Sequence, residues 1–77
     1  MKDFVEYLVK KLVDRPDEVS ITEVKGEKTI VLELRVGEGE LGKVIGKGGR
    51  IAQAIRVLLG AVSARSSMKV VLEILED

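Results

Sequence analysis

In the stretch Gly42-Lys43-Val44-Ile45-Gly46-Lys47-Gly48-Gly49-Arg50, cations are interleaved with glycines, and here residue types and spacing support chemistry. That chemistry is non-covalent. Between Gly46 and Gly49 the backbone has little side-chain cover, so a flat anion such as a phosphodiester strand can approach the main chain closely. Lys43, Lys47 and Arg50 supply the matching positive charge. Covalent and acid/base catalysis have no such footing. The chain has no Cys and no His, which removes thiolate chemistry, disulfides, imidazole bases and the commonest zinc ligands together. Ser63, Ser66 and Ser67 lack a base, and no carboxylate pair marks a site. An enzyme is therefore not expected, and neither is a cofactor or a metal.

The elements around this stretch must position it. Leu41, Val44 and Ile45 have the i, i+3, i+4 spacing of a short helix ahead of the glycines. Ile51, Ile55, Leu58, Leu59 and Val62 predict the apolar face of a longer helix after them, with Arg50, Gln53 and Val57 toward its other side. The second helix begins at the loop, so its free N–H groups and positive dipole end add to the attraction for phosphate. Upstream, Asp3 with Glu6 forms a capping-box-like start for a first helix. Its face is Phe4, Leu8 and Leu12, widened by Val5, Val9 and Val13, and it ends at Asp14-Arg15-Pro16-Asp17. A short strand is predicted over Val19 to Val24 and a stronger one over Thr29 to Val36, where Ile30, Leu32, Leu34 and Val36 alternate with polar or outward positions. Lys25-Gly26-Glu27-Lys28 reads as their hairpin turn. Ser63 to Ser67 reads as a loop, and Met68, Val70, Leu72 and Ile74 alternate along a last strand. The order is helix, strand, strand, short helix, glycine loop, helix, strand, an α+β fold with helices on one face of a three-stranded sheet.

At 77 residues the chain is expected to be one small domain, residues 1–77, whose core is only just sufficient. No secretory pattern precedes the first helix, and the longest apolar run, Val57 to Val62, is far below the roughly 18 residues of a membrane span. A soluble cytoplasmic protein with no membrane partner is expected. Thirteen basic and thirteen acidic residues cancel globally, but their distribution does not. From Leu41 to Leu72 there is no Asp or Glu, while Lys43, Lys47, Arg50, Arg56, Arg65 and Lys69 contribute six positive charges. The remaining seven basic and thirteen acidic residues give a net of minus six. Such segregation draws a polyanion to one side.

Two other glycine motifs are weaker. Gly37-Glu38-Gly39-Glu40-Leu41-Gly42 formally matches G-x-G-x-x-G. Glu38 and Glu40 would then face the pyrophosphate, and no acid follows until Glu73, too late for a ribose contact. A P-loop reading of Gly42 with Gly46-Lys47 is one residue short, and Gly48 stands where Ser or Thr would bind magnesium. A plain helix-to-helix turn remains the bland alternative. The coincidence of glycines, Lys47, Arg50 and the acid-free interval weighs against it.

The apolar-Gly-x-x-Gly arrangement between two helices resembles the GXXG loop of KH domains. The element order, Gly42 to Arg50 and the following Ala54-Ile55-Arg56 are together similar to the small bacterial RNA-binding proteins of the KhpA family, over nearly the whole chain. The resemblance implies a type II KH domain, α-β-β-α-α-β, and an RNA-binding protein with RNA chaperone activity and no catalytic site. It further implies pairing with a KH-containing partner of the KhpB (Jag, EloR) type, homodimers, and a part in cell shape and cell-wall homeostasis. In KH domains the two residues between the outer glycines, here Lys47 and Gly48, approach the phosphates, and the flanking helices and one strand form a groove for about four nucleotides. Gly48 departs from the larger polar residue that many relatives carry, which implies either weaker binding or more of it left to Lys47 and Arg50.

The expected site is thus Lys43, Ile45, Gly46, Lys47, Gly48, Gly49, Arg50 and Arg56, with Val44, Ile45 and Ile51 as an apolar groove wall whose first role is core packing. Arg65 and Lys69 are expected to be ordinary solvated charges. Phe4 and Tyr7 are the only aromatics, so stacking platforms are absent and binding should be weak, salt-sensitive and sequence-tolerant. The alternative function is a KH-like dimerisation module with little RNA affinity, suggested by Val57 and Ala61 on a helix already supplied with a core face.

Overall fold

The computed structural model describes residues 2–76 and has the expected element order. Helix α1 (Lys2–Leu12) and a 3-10 turn (Pro16–Glu18) lead into strands β1 (Ser20–Lys25) and β2 (Thr29–Val36). Helix α2 (Leu41–Ile45), the 3-10 turn Lys47–Gly49, helix α3 (Arg50–Arg65) and strand β3 (Lys69–Glu76) follow. The sheet order is β1-β2-β3, with β1 antiparallel and β3 parallel to β2. The parallel pair needs a crossover, and α2, the glycine turn and α3 provide it. Strand β3 is consequently an edge strand.

Alternation along the strands fixes which face is covered. Register places Ile21 beside Leu34, and Leu32 beside Leu72. All four are buried, and they meet Val5 and Val9 of α1, Val44 of α2, and Ile55 and Leu59 of α3 in one cluster. The outward positions Val24 and Glu73 are exposed.

Four details differ from the sequence reading. Helix α1 starts at Lys2, so Asp3 lies inside the first turn rather than ahead of it. Its core stripe is Val5, Val9 and Val13, whereas Phe4 is 49% exposed and Leu8 and Leu12 are half-buried. On α3 the buried residues are Ala52, Ile55 and Leu59, with Leu58 and Val62 turned outward. In both helices, stripes one residue apart are offset by only about 100°, so periodicity alone does not choose between them; on α1 the thin layer above a three-stranded sheet accepts the smaller, β-branched set. Helix α3 also runs on to Arg65, through most of the predicted loop, because Ser63 donates its hydroxyl to the Leu59 carbonyl (2.9 Å) while accepting the Val70 N–H (2.8 Å). One side chain thereby ties the end of α3 to the start of β3.

Candidate nucleic-acid interface

The glycine turn is built from backbone angles that side chains resist. Gly46 has φ 79° and ψ 171°, Gly48 φ 66° and Gly49 φ 78°, all in the region that glycine enters without steric cost. Gly46 has a second reason to be glycine: a Cβ there would lie 2.7 Å from Cγ1 of Ile51. At Gly48 a Cβ would meet nothing within 4 Å. The turn is closed by main-chain bonds, Gly46 N–H to Gly42 C=O at 2.9 Å and Gly49 N–H to Gly46 C=O at 3.1 Å. Lys47 and Gly48 are left exposed at its tip. Helix α3 starts without a side-chain cap and without an acid in its first turn; the Arg50 N–H is bonded to the Lys47 carbonyl, and no carboxylate competes for the N–H groups that follow.

Beside the turn lies an open cleft of about 770 Å³ between α3 and the edge strand. Ile45, Gly48 and Gly49 form one end, Arg50, Gln53 and Arg56 of α3 one wall, and Ile74 of β3 meets them from the sheet. A smaller hollow of about 240 Å³ continues along β3 past Arg56 to Lys69. Neither is lined by a carboxylate. Six of the eight predicted site residues therefore belong together: Ile45, Gly48, Gly49, Arg50 and Arg56 line the cleft, and Gly46 shapes its rim. Lys47 stands at the tip of the turn rather than in the lining. Gln53, Ile74 and Lys69 join the lining without having been predicted. For Gln53 and Lys69 the available signal was their place within the acid-free interval.

Lys43 is held elsewhere. Its ammonium is ion-paired with Asp14, and the hydrogen bond and charge of each hold the lysine above, and the aspartate below, its ordinary titration range. Arg65 lines a different, apolar hollow with Phe4, Leu58, Ala61 and Val62, between α1 and α3. A neighbouring hollow of about 360 Å³ is walled by Leu8, Leu12, Ile51 and Leu58.

By sequence Glu40 belongs to the polar turn that ends the second strand, yet it is 2% exposed. Its carboxylate accepts Asp14 N–H at 2.8 Å, Arg15 N–H at 2.9 Å and Arg15 Nε–H at 3.0 Å. Burial pushes its pKa up, but these three donors outweigh that and leave it below the usual carboxylate value. Arg15 is shifted upward by the same bond and by Glu18 at 3.2 Å. No metal-binding group of carboxylates exists among the described residues, and none of their helices is long and apolar enough to cross a membrane.

A three-stranded mixed sheet crossed by a helix, glycine turn and helix is the architecture of a KH domain. The chain belongs to the KhpA/KhpB KH-domain family, whose model matches residues 2–74. It is 58% identical over 76 residues to the RNA-binding protein KhpA of Aquifex aeolicus, covering 99% of this chain and 96% of that one. To the RNA-binding protein KhpA of Chlamydia caviae it is 56% identical over 77 residues, covering 100% and 99%. The Clostridium perfringens protein of the same name is 51% identical over 75 residues, covering 97% and 100%. No solved structure matches significantly.

Proposed function

We propose that the chain acts as one KH domain that binds single-stranded RNA, the Gly46–Gly49 turn gripping the backbone while bases lie in the α3/β3 cleft. The observation that carries this is the acid-free cleft beside a bare, positively charged turn at an uncapped helix start. The names of the relatives support it independently. Lys47, Arg50 and Arg56 neutralise phosphates, Ile45 and Ile74 give the bases an apolar floor, and Lys69 extends the cationic wall. Lys43, its charge cancelled by Asp14, contributes little while that ion pair holds. With no aromatic in the cleft, the strand is positioned rather than read, which suits an RNA chaperone acting on many transcripts.

The test is titration of a fluorescein-labelled oligo(U) at rising salt. Three or four neutralised phosphates give a log-log slope of about −2 to −3 on a single strand. Binding that is absent, or insensitive to salt, would sink the reading.

A second role rests on a different surface. Phe4, Leu58 and Val62 are exposed around the apolar hollows between α1 and α3, and such patches mark association sites. This is the face for a second copy or for a KhpB/Jag-type KH protein, through which the family resemblance leads to cell shape and cell-wall homeostasis. Two clefts on one RNA would raise avidity without a new contact.

A further inference from the structure

Helix α2 has five residues, far too few to persist unaided. The cleft nevertheless requires the turn that α2 carries to sit at a fixed place beside β3. Val44 anchors its inner side in the core. Its leading end is held by Glu40, whose two carboxylate oxygens take the consecutive main-chain N–H groups of Asp14 and Arg15, at 2.8 and 2.9 Å. Arg15 closes the arrangement, donating Nε–H to Glu40 and a terminal N–H to the Glu38 carbonyl. Gly39 N–H reaches Glu76 of β3 at 3.1 Å. An acid at the base of an anion-binding element is otherwise unfavourable, because it repels the ligand the element attracts.

We infer that Glu40 is a positioning residue for the RNA clamp: its buried carboxylate latches the start of α2 to the Asp14-Arg15 main chain and thereby fixes the glycine turn against the cleft. The inference rests on the RNA-binding reading above, and its distinctive feature is a sign. Removing a negative charge near bound RNA tightens binding if Glu40 acts only through its field, and weakens it if Glu40 holds the clamp.

Glu40→Gln separates the two. Its shape is nearly retained, but an amide offers one acceptor oxygen where two main-chain N–H groups need partners, and its NH₂ faces the other donor. Glu38→Gln is the charge-matched control, since Glu38 bonds to the latch through its main-chain carbonyl alone and its side-chain charge acts on Arg15 only weakly. With oligo(U), Glu40→Gln is expected to weaken binding about tenfold through lost preorganisation, while Glu38→Gln binds as tightly as wild type or slightly tighter. Amide exchange at Gly46, whose N–H is bonded to Gly42, should quicken in Glu40→Gln alone. Should Glu40→Gln not fold, Arg15→Lys keeps the charge but loses the planar fork, and a smaller weakening with faster Gly46 exchange is expected. Tighter or unchanged binding with unchanged Gly46 exchange in the folded variants overturns the latch. Wild type that binds no oligo(U) overturns the RNA reading instead, and Gly46 exchange then decides the latch by itself.

Discussion

A chain carrying both Lys47→Asp and Gly48→Asp is expected to fold as wild type does and to bind single-stranded RNA about a hundredfold more weakly. The tip of the turn changes by three units of charge, one cation lost and two anions gained. At contact distance in water each unit interacts with a phosphate by roughly 1 kcal/mol, and about 3 kcal/mol is about a hundredfold in Kd. The fold should survive, because Lys47 is exposed and a Cβ at Gly48 meets nothing within 4 Å. Aspartate at φ 66° costs about 1 kcal/mol, less than a branched residue would. Circular dichroism checks the fold and anisotropy with oligo(U) the affinity. Lys47→Gln/Gly48→Asn controls for shape, with an intermediate loss expected. Unchanged affinity in the folded aspartate variant would move the weight of function to the apolar α1/α3 face and to dimerisation.

That prediction uses residues legible in the sequence, and the reason is that their signals are local. Glycines at positive φ, alternation from Ile30 to Val36 and the cations after Leu41 declare themselves within a few positions, so the element order and most of the cleft follow from the sequence. What was not legible depends on partners far along the chain. Glu40 meets residues 25 and 26 positions away, and nothing near it separates a latch from a strand-ending acid. Lys43 carries the same lesson in reverse. Its place beside the glycines suggests a phosphate ligand, while its ammonium is bound to Asp14, 29 positions away. Periodicity likewise cannot choose between the Phe4-Leu8-Leu12 and Val5-Val9-Val13 stripes, because both have helical spacing. The sheet chooses, and the stripe it leaves becomes the apolar surface available to a partner.

The turn itself makes the sharpest contrast available between two glycines of one loop. Gly48→Ala incurs only the left-handed conformation, roughly 1–2 kcal/mol, and its new methyl enters open space. Gly46→Ala is different in two respects. Its φ of 79° and ψ of 171° lie in a region essentially reserved for glycine, costing about 1–3 kcal/mol. Its Cβ would also come within 2.7 Å of Cγ1 and 2.9 Å of Cδ1 of Ile51, overpacking worth about 1–3 kcal/mol more. A domain of this size is stable by roughly 4–12 kcal/mol, so Gly46→Ala removes a large share of that. At about 4–8 °C per kcal/mol, Tm is expected to fall by roughly 15–30 °C, against less than about half that for Gly48→Ala. Because the clash is with a side chain, adding Ile51→Ala should recover part of the loss beyond what the single variants sum to, a positive coupling in a double-mutant cycle of thermal melts. Equal Tm losses for the two alanines, or strict additivity with Ile51→Ala, would mean that Gly46 is not seated against the first turn of α3, and the rim of the cleft would have to be built some other way.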